Sequence, residues 1–409
     1  MYDILRRKNS GLKDQVVDFA QQLVRKPSLS LQEREIADLV RQQMEIIGYD
    51  RIIQDDCGNI IGIMFGRETE PTLLLNCHMD TVSPAEQSQW SGDPFSGQIK
   101  DGKLYGCGAS DCKGGLAAQI FAGALLKRSL LPLNGNLIVA ATVGEEQGTS
   151  VGVRHLIERT LPELELNPTY AILGEPTELG LYYGHDGWVE MDIKVEGTNV
   201  FDVDDAAKTI FEEFNSRIKR IDDHGGPEAL AIKPPLYESC DGLRRATIGV
   251  NRRFNDSQEP GVVIDQIKHQ AILAMQVAGD VVIDVVIRTE TQKMYTGTTT
   301  MTRKVTNAWS IDPFCPLMER SRHALEAANC QVRPGKWNLG RVGMATAGGV
   351  LTKDYKIPTI GYGPGNEEVI HGPDEYVEVD KIIEAVYGTA AIVHSLIGLP
   401  VFGWASGEI

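Results

Sequence analysis

Five side chains of a metal-ligating kind, His78, Asp111, Glu146, Glu175 and His371, stand in glycine-rich surroundings along this sequence. Three of them follow apolar runs directly: Leu75-Asn76-Cys77-His78, Thr142-Val143-Gly144-Glu145-Glu146 and Ala171-Ile172-Leu173-Gly174-Glu175. Asp111 sits in the turn Gly106-Cys107-Gly108-Ala109-Ser110-Asp111-Cys112-Lys113-Gly114-Gly115. Histidine mixed with carboxylates suits zinc, cobalt or manganese, whereas a thiolate-rich set would suggest structural zinc. Alone, each has an ordinary reading: a loop histidine is commonly just hydrogen-bonded, and a pair such as Glu145-Glu146 is commonly a wet surface. Together, the stretch from Leu73 to Gly115 reads as half of a two-metal hydrolytic centre. Two divalent ions about 3.5 to 4 Å apart can acidify a shared water and polarise a scissile carbonyl. Three crowded carboxylates would raise one another's pKa and cost stability without cations. Cys77, Cys107 and Cys112, close by, read as small residues packed at strand ends rather than thiolate ligands.

The elements that must position these groups follow from periodicity. Val16, Val17, Phe19, Ala20, Leu23 and Val24, then Ile36, Leu39, Val40, Met44 and Ile47, recur at helical spacing, and Ser28-Leu29-Ser30-Leu31-Gln32-Glu33 reads as a capped start for the second helix. Strands are expected over 58–62, 72–77 and 136–143, with a helix over 116–128 between the last two. Strands alternating with helices predict an α/β sheet with helices on both faces, whose ligands gather at the carboxyl ends of the strands. From Tyr182 to Arg288 the pattern changes to strands at 188–195, 245–253 and 281–287 and helices around 206–218 and 264–277, an α+β insert. Helices near 316–328 and 380–396 and a strand at 359–361 resume the first pattern. The expected organisation is a discontinuous main domain, 1–182 and 296–409, with a smaller domain, 183–295, inserted.

Composition bounds the function. At 409 residues the chain is too long for one ordinary core. With 56 acidic against 40 basic side chains and a net charge of -16, its surface would repel nucleic acid and anionic membranes. Seven cysteines, an odd number over a long chain, argue for reduced thiols. No apolar run of about 18 residues and no secretory leader is evident, so a soluble, cytoplasmic protein with a small-molecule substrate is expected.

His78-Met79-Asp80-Thr81-Val82, the Gly106–Gly115 turn, Glu145-Glu146, Gly174-Glu175-Pro176-Thr177 and Gly363-Pro364-Gly365 with His371 resemble, in order, the five signatures of the co-catalytic zinc metallohydrolases. That family includes acetylornithine deacetylase, succinyl-diaminopimelate desuccinylase, aminoacylase and glutamate carboxypeptidase, and the resemblance spans nearly the whole chain. It implies an aminopeptidase-like catalytic domain with a mixed sheet, a lid and dimerisation domain, and a homodimer formed through the lid. It implies two divalent ions, zinc foremost, with cobalt and manganese as alternatives. Asp111 would bridge them, His78 and Glu175 would complete one site, and Glu146 and His371 the other. Glu145 would be the general base, and Asp80 would accept the other ring proton of His78 and fix its tautomer. The resemblance also implies a cis peptide at Asp111-Cys112.

The chain departs from the family in two places. Members usually carry Gly-x-Arg-Gly where Gly184-His185-Asp186-Gly187 leads into the lid, and a lid histidine that reaches the oxyanion where Phe201 stands. His185 and His224 are the available replacements. Many members also hold the substrate's carboxylate with an arginine where this chain has Thr346-Ala347-Gly348-Gly349-Val350. Either the Gly348-Gly349 turn or one of Arg252, Arg253 and Arg341, with Arg253 foremost, would have to serve. Two functions follow: a metal-dependent hydrolase of the amide bond in a small N-acyl amino acid or peptide-like substrate, or a metal- or ligand-binding homologue with lost or altered catalysis. An intact ligand set with Glu145 favours the first.

Overall fold

The computed structural model describes residues 1–84, 87–222, 230–275, 280–330 and 345–399. In chain order the main sheet takes β1 (Arg51–Gln54), β2 (Ile60–Met64), β3 (Leu73–His78), β4 (Leu137–Thr142) and β5 (Tyr170–Leu173). An inserted unit supplies β6 (Gly187–Gly197), β7 (Leu243–Phe254) and β8 (Val281–Ile287), and the chain returns as β9 (Thr359–Gly361).

The main sheet runs β1-β2-β4-β3-β5-β9. Its β1, β2 and β4 are antiparallel neighbours, while β4, β3, β5 and β9 run parallel. Every residue of β2, β3 and β4 is buried, as strands covered on both faces require. The pleat sorts them: Leu73, Leu75 and Cys77 join one core with Leu23, Phe121 and Val386, while Leu74 joins Ile61, Ile138 and Leu173 on the other face. Helices Lys13–Val24, Gly114–Arg128 and Val379–Ile397 cover the first face. The helix at Gly114–Arg128 is buried through all but its last turn, which explains its run of alanine and leucine.

Register sets where the central strands stop. His78 lies opposite Thr142, and Asn76 opposite Leu173, so β3, β4 and β5 end nearly level. The residues just past those ends are therefore delivered to one edge of the sheet.

The insert has its own sheet, with Leu230–Ile232, β7, β6 and β8 in that order, all antiparallel. Along β6 burial alternates strictly, and Val189, Met191, Ile193 and Val195 pack under helices Val200–Asp222 and Pro260–Ala274 through Val203, Ile210, Phe214, Val263 and Ile267. A hairpin that periodicity did not bring out, Thr289–Lys293 with Thr299–Arg303, straddles residues 295 and 296, and Val305–Thr306 pairs back onto β6. No helix among the described residues is long and apolar enough to cross a membrane.

Candidate metal centre

Strand β3 delivers His78 to the sheet edge with its ring fully enclosed. The Nδ1 atom lies 2.9 Å from the carbonyl oxygen of Asp80, and Nε2 lies 3.0 Å from Asp111 Oδ1. Asp80 faces the ring with its carbonyl and, at 3.6 Å, with its carboxylate Oδ1. Asp80 Oδ1 also accepts the amide of Glu145 at 3.0 Å, and Oδ2 accepts the amide of Glu146 at 3.0 Å and the Ser30 hydroxyl at 2.7 Å. A turn whose successive N–H groups point inward favours such an acceptor.

Asp111 arrives by a different route. The peptide bond Asp111-Cys112 is cis, as the resemblance implied. The amides of Gly108, Ser110 and Asp111 donate to the buried carboxylate of Glu375 at 3.0, 2.8 and 3.0 Å. Burial raises Glu375 to about 7 against those same three amides. Sequence reasoning missed Glu375; its only signal was its place four residues beyond His371 in Gly372-Pro373-Asp374-Glu375. Gly115 completes the joint, since a Cβ there would stand 1.8 Å from the carbonyl oxygen of Gly174, the residue before Glu175.

His371, in the left-handed region at φ 58, turns Nε2 toward Glu146 Oε2 at 3.1 Å and Asp111 Oδ2 at 3.3 Å. Two donor clusters result, each with ligand atoms within 4.8 Å of one another: His78, Asp111, Cys112 and Glu175, and Asp111, Glu146 and His371. They share Asp111. Cys112 is drawn in by position, but its thiol donates to the carbonyl oxygen of His78 at 3.6 Å and burial holds its pKa well above the ordinary range. The thiol is buried and free of any disulfide.

Electrostatics marks the cluster as one built for cations. Burial pushes Glu175 up to about 8, with Asp111, Glu146 and Asp80 adding to it against His78. Burial likewise raises Glu145 and Glu146. Burial alone would depress His371, yet hydrogen bonds to Asp111 and Glu146 lift it to about 11. A nitrogen and carboxylate donor set of this shape fits zinc, cobalt or manganese.

Above the cluster lies a cavity of about 430 Å³. Asp111, Glu145, Glu146, Glu175 and His371 form its floor, Trp188, Glu190 and Arg253 close it from the inserted unit, and Lys304 and Thr306 close it from the segment that pairs back onto β6. Arg253 stands 5.7 Å from the Trp188 ring centroid, in the field of Asp186. Burial and this packing leave it 9% exposed, so the little surface it has faces the cavity.

The other substrate-binding candidates lie elsewhere. Gly348 and Gly349 do not line the cavity: a Cβ at Gly348 would meet the Trp309 ring at 2.4 Å, and one at Gly349 the Asn307 carbonyl at 2.2 Å. Both are glycine because of close packing, a cause invisible in their spacing. His185 is buried between Asp186 and Thr346, accepting the Thr346 amide at 2.9 Å, and burial lowers it to about 4. It is outside the cavity, as is Arg252. Phe201 is 84% exposed in the first turn of its helix. His224 and Arg341 lie outside the described residues.

Residues 74–395 match the model of the Peptidase family M20/M25/M40. The uncharacterized protein YgeY of Escherichia coli is 24% identical over 406 residues, 96% of this chain and 96% of its own. Among solved structures, the di-peptidase Dug1p of Saccharomyces cerevisiae superposes with a TM-score of 0.71 at 13% identity, covering 96% of this chain and 98% of that one. YXEP of Bacillus subtilis, described as a dinuclear metal binding peptidase, gives 0.67 at 15% identity over 95% of this chain and 99% of its own.

Proposed function

The chain belongs to peptidase family M20/M25/M40, a metal-dependent hydrolase acting on C–N bonds, and from that premise we propose that it cleaves the amide of a small N-acyl amino acid or dipeptide-like substrate. The observation that carries this reading is the pair of donor clusters sharing Asp111 beneath Glu145 in the floor of one cavity. His78 and Glu175 would hold one divalent ion, Glu146 and His371 the other, and Asp111 both. Such ions, when bound, supply Lewis acidity toward the scissile carbonyl and toward water.

The chain's own residues do the rest. Glu145 takes a proton from the attacking water at its carboxylate and returns it to the departing nitrogen. Asp80 fixes the turn on which Glu145 and Glu146 ride. Arg253 receives the substrate's carboxylate from the lid, its guanidinium held against Trp188. We assign residues 1–182 and 296–409 to the catalytic domain and 183–295 to the lid. The β8 edge, where Val282 is 69% exposed, is the surface we assign to a second copy.

The test is a panel of N-acyl amino acids and dipeptides offered to protein loaded with zinc, cobalt or manganese. Turnover that falls by about 100-fold or more in Glu145→Gln, at unchanged metal content, supports the reading. A second reading, a metal-binding homologue without hydrolysis, draws on the exposed Phe201 and on a cavity where, among the described residues, His371 is the sole histidine. Stoichiometric metal with no turnover on any amide would favour it.

A further inference from the structure

We propose that Glu33 is a positioning residue of this site, its carboxyl group holding the Gly144 amide so that Glu33 and Asp80 together fix the turn carrying Glu145 and Glu146. The inference rests on the proposed roles of those two glutamates in base catalysis and metal binding.

In sequence, Ser28 to Glu33 looks like a helix cap. Glu33 does occupy the N-cap position of helix Arg34–Ile47, yet its side chain caps nothing there. It turns inward and is fully buried. One oxygen, Oε1, accepts the amides of Leu31 at 2.8 Å and Gly144 at 3.1 Å. The other, Oε2, is buried with no hydrogen-bond partner among the described residues. A buried acid with an unused oxygen is costly for a cap that a serine could supply, so its position calls for another reason.

The reason lies in the turn. Gly144 is left-handed at φ 64, and the three successive amides of Gly144, Glu145 and Glu146 each donate to a buried carboxyl group. Consecutive N–H groups after a left-handed residue form a concavity that selects an anion or polar oxygen. Here two side chains fill it: Glu33 takes the first amide and Asp80 the other two. The loop bearing Glu33 is tied to the same strand end. Ser28 Oγ donates to Met79 O at 2.8 Å, the Thr81 amide to Ser28 O at 2.8 Å, and Ser30 Oγ to Asp80 Oδ2 at 2.7 Å. Leu31, itself left-handed at φ 70, is held there by the Glu33 bond. The loop therefore connects β3, which carries His78, to the turn after β4.

Burial beside the Asp80 charge raises Glu33 to about 8, against its backbone hydrogen bonds. Near neutral pH its group is then an uncharged acceptor, which a glutamine amide reproduces.

Full-length wild type, Glu33→Ala and Glu33→Gln are compared for Co2+ dissociation constants by calorimetry, and for kcat and KM on the fastest substrate of the panel. In Glu33→Ala, kcat should fall about 10 to 100-fold with KM within about threefold, and the weaker Co2+ should bind about tenfold less tightly, as loss of an outer partner does. Glu33→Gln should restore both to within about threefold of wild type. Glu33→Met, which fills the same space without an oxygen, replaces the alanine variant if that fails to fold. Wild-type kcat and Co2+ affinity in the alanine or methionine variant would overturn the proposal, and so would equal losses in the glutamine variant. If the wild type cleaves nothing on the panel, the hydrolase reading fails and the Co2+ constants alone decide the role of Glu33.

Discussion

Replacing Asp80 by asparagine changes one oxygen into an NH2 group and should disable the site with little change in shape. Both carboxylate oxygens face a backbone donor at 3.0 Å, Oδ1 the amide of Glu145 and Oδ2 that of Glu146. An asparagine can flip, but either orientation sets its NH2 against one of those N–H groups. The Ser30 hydroxyl can rotate to accept; a backbone amide cannot. One buried donor is thus left unsatisfied, and losing the charge weakens the bond to the other. An unsatisfied buried group costs about 1 to 3 kcal/mol. The turn can escape that cost only by moving, which carries Glu145 and Glu146 with it. A displacement of about 1 Å at a reacting group can cost about 100-fold in rate. The expected result is a urea unfolding midpoint lowered in proportion to about 1 to 3 kcal/mol, kcat down about 100-fold, and at least one metal still bound. The assays are urea titration, metal analysis after gel filtration, and steady-state kinetics. Wild-type stability and turnover in Asp80→Asn would refute the idea that this carboxylate holds the turn.

Three further outcomes are expected. Exhaustive chelation should abolish turnover and lower the thermal midpoint, because an ion present at about 100 times its dissociation constant stabilises by about 2.7 kcal/mol; scanning calorimetry before and after zinc is restored checks it. Arg253→Ala should raise KM about 10 to 100-fold for substrates bearing a carboxylate, the equivalent of one charged hydrogen bond, and leave kcat within about threefold. Amide substrates without the carboxylate should be unaffected. Gly348→Ala should destabilise by about 1 to 3 kcal/mol through overpacking, since its Cβ would stand 2.4 Å from Trp309, with kcat of the folded protein unchanged. A KM effect confined to that variant would return the Gly348-Gly349 turn to the substrate site.

The ligand types, their order and the strands that deliver them were legible in the sequence because each depends on local information. A run such as Leu73-Leu74-Leu75 declares a buried strand, and a histidine or acid placed just after it is carried to the strand's carboxyl end whatever surrounds it. The family signatures are likewise contiguous. Long-range contacts were not legible. Glu375 cradles the Asp111 turn across more than 260 residues of chain, Glu33 reaches Gly144 across 111, and Trp309 dictates glycine at Gly348. None of these residues has a neighbour in sequence that reveals its partner. From Asp80 two residues past His78 a contact with the histidine was the natural inference, yet only the folded turn shows that the same carboxylate also engages two backbone amides. Sequence by itself determined which groups could bind metal and where along the sheet edge they would emerge. Tertiary structure decided which buried carboxylates hold the backbone in place so that those groups converge, because such anchoring is a matter of hydrogen bonds between segments that only folding brings together.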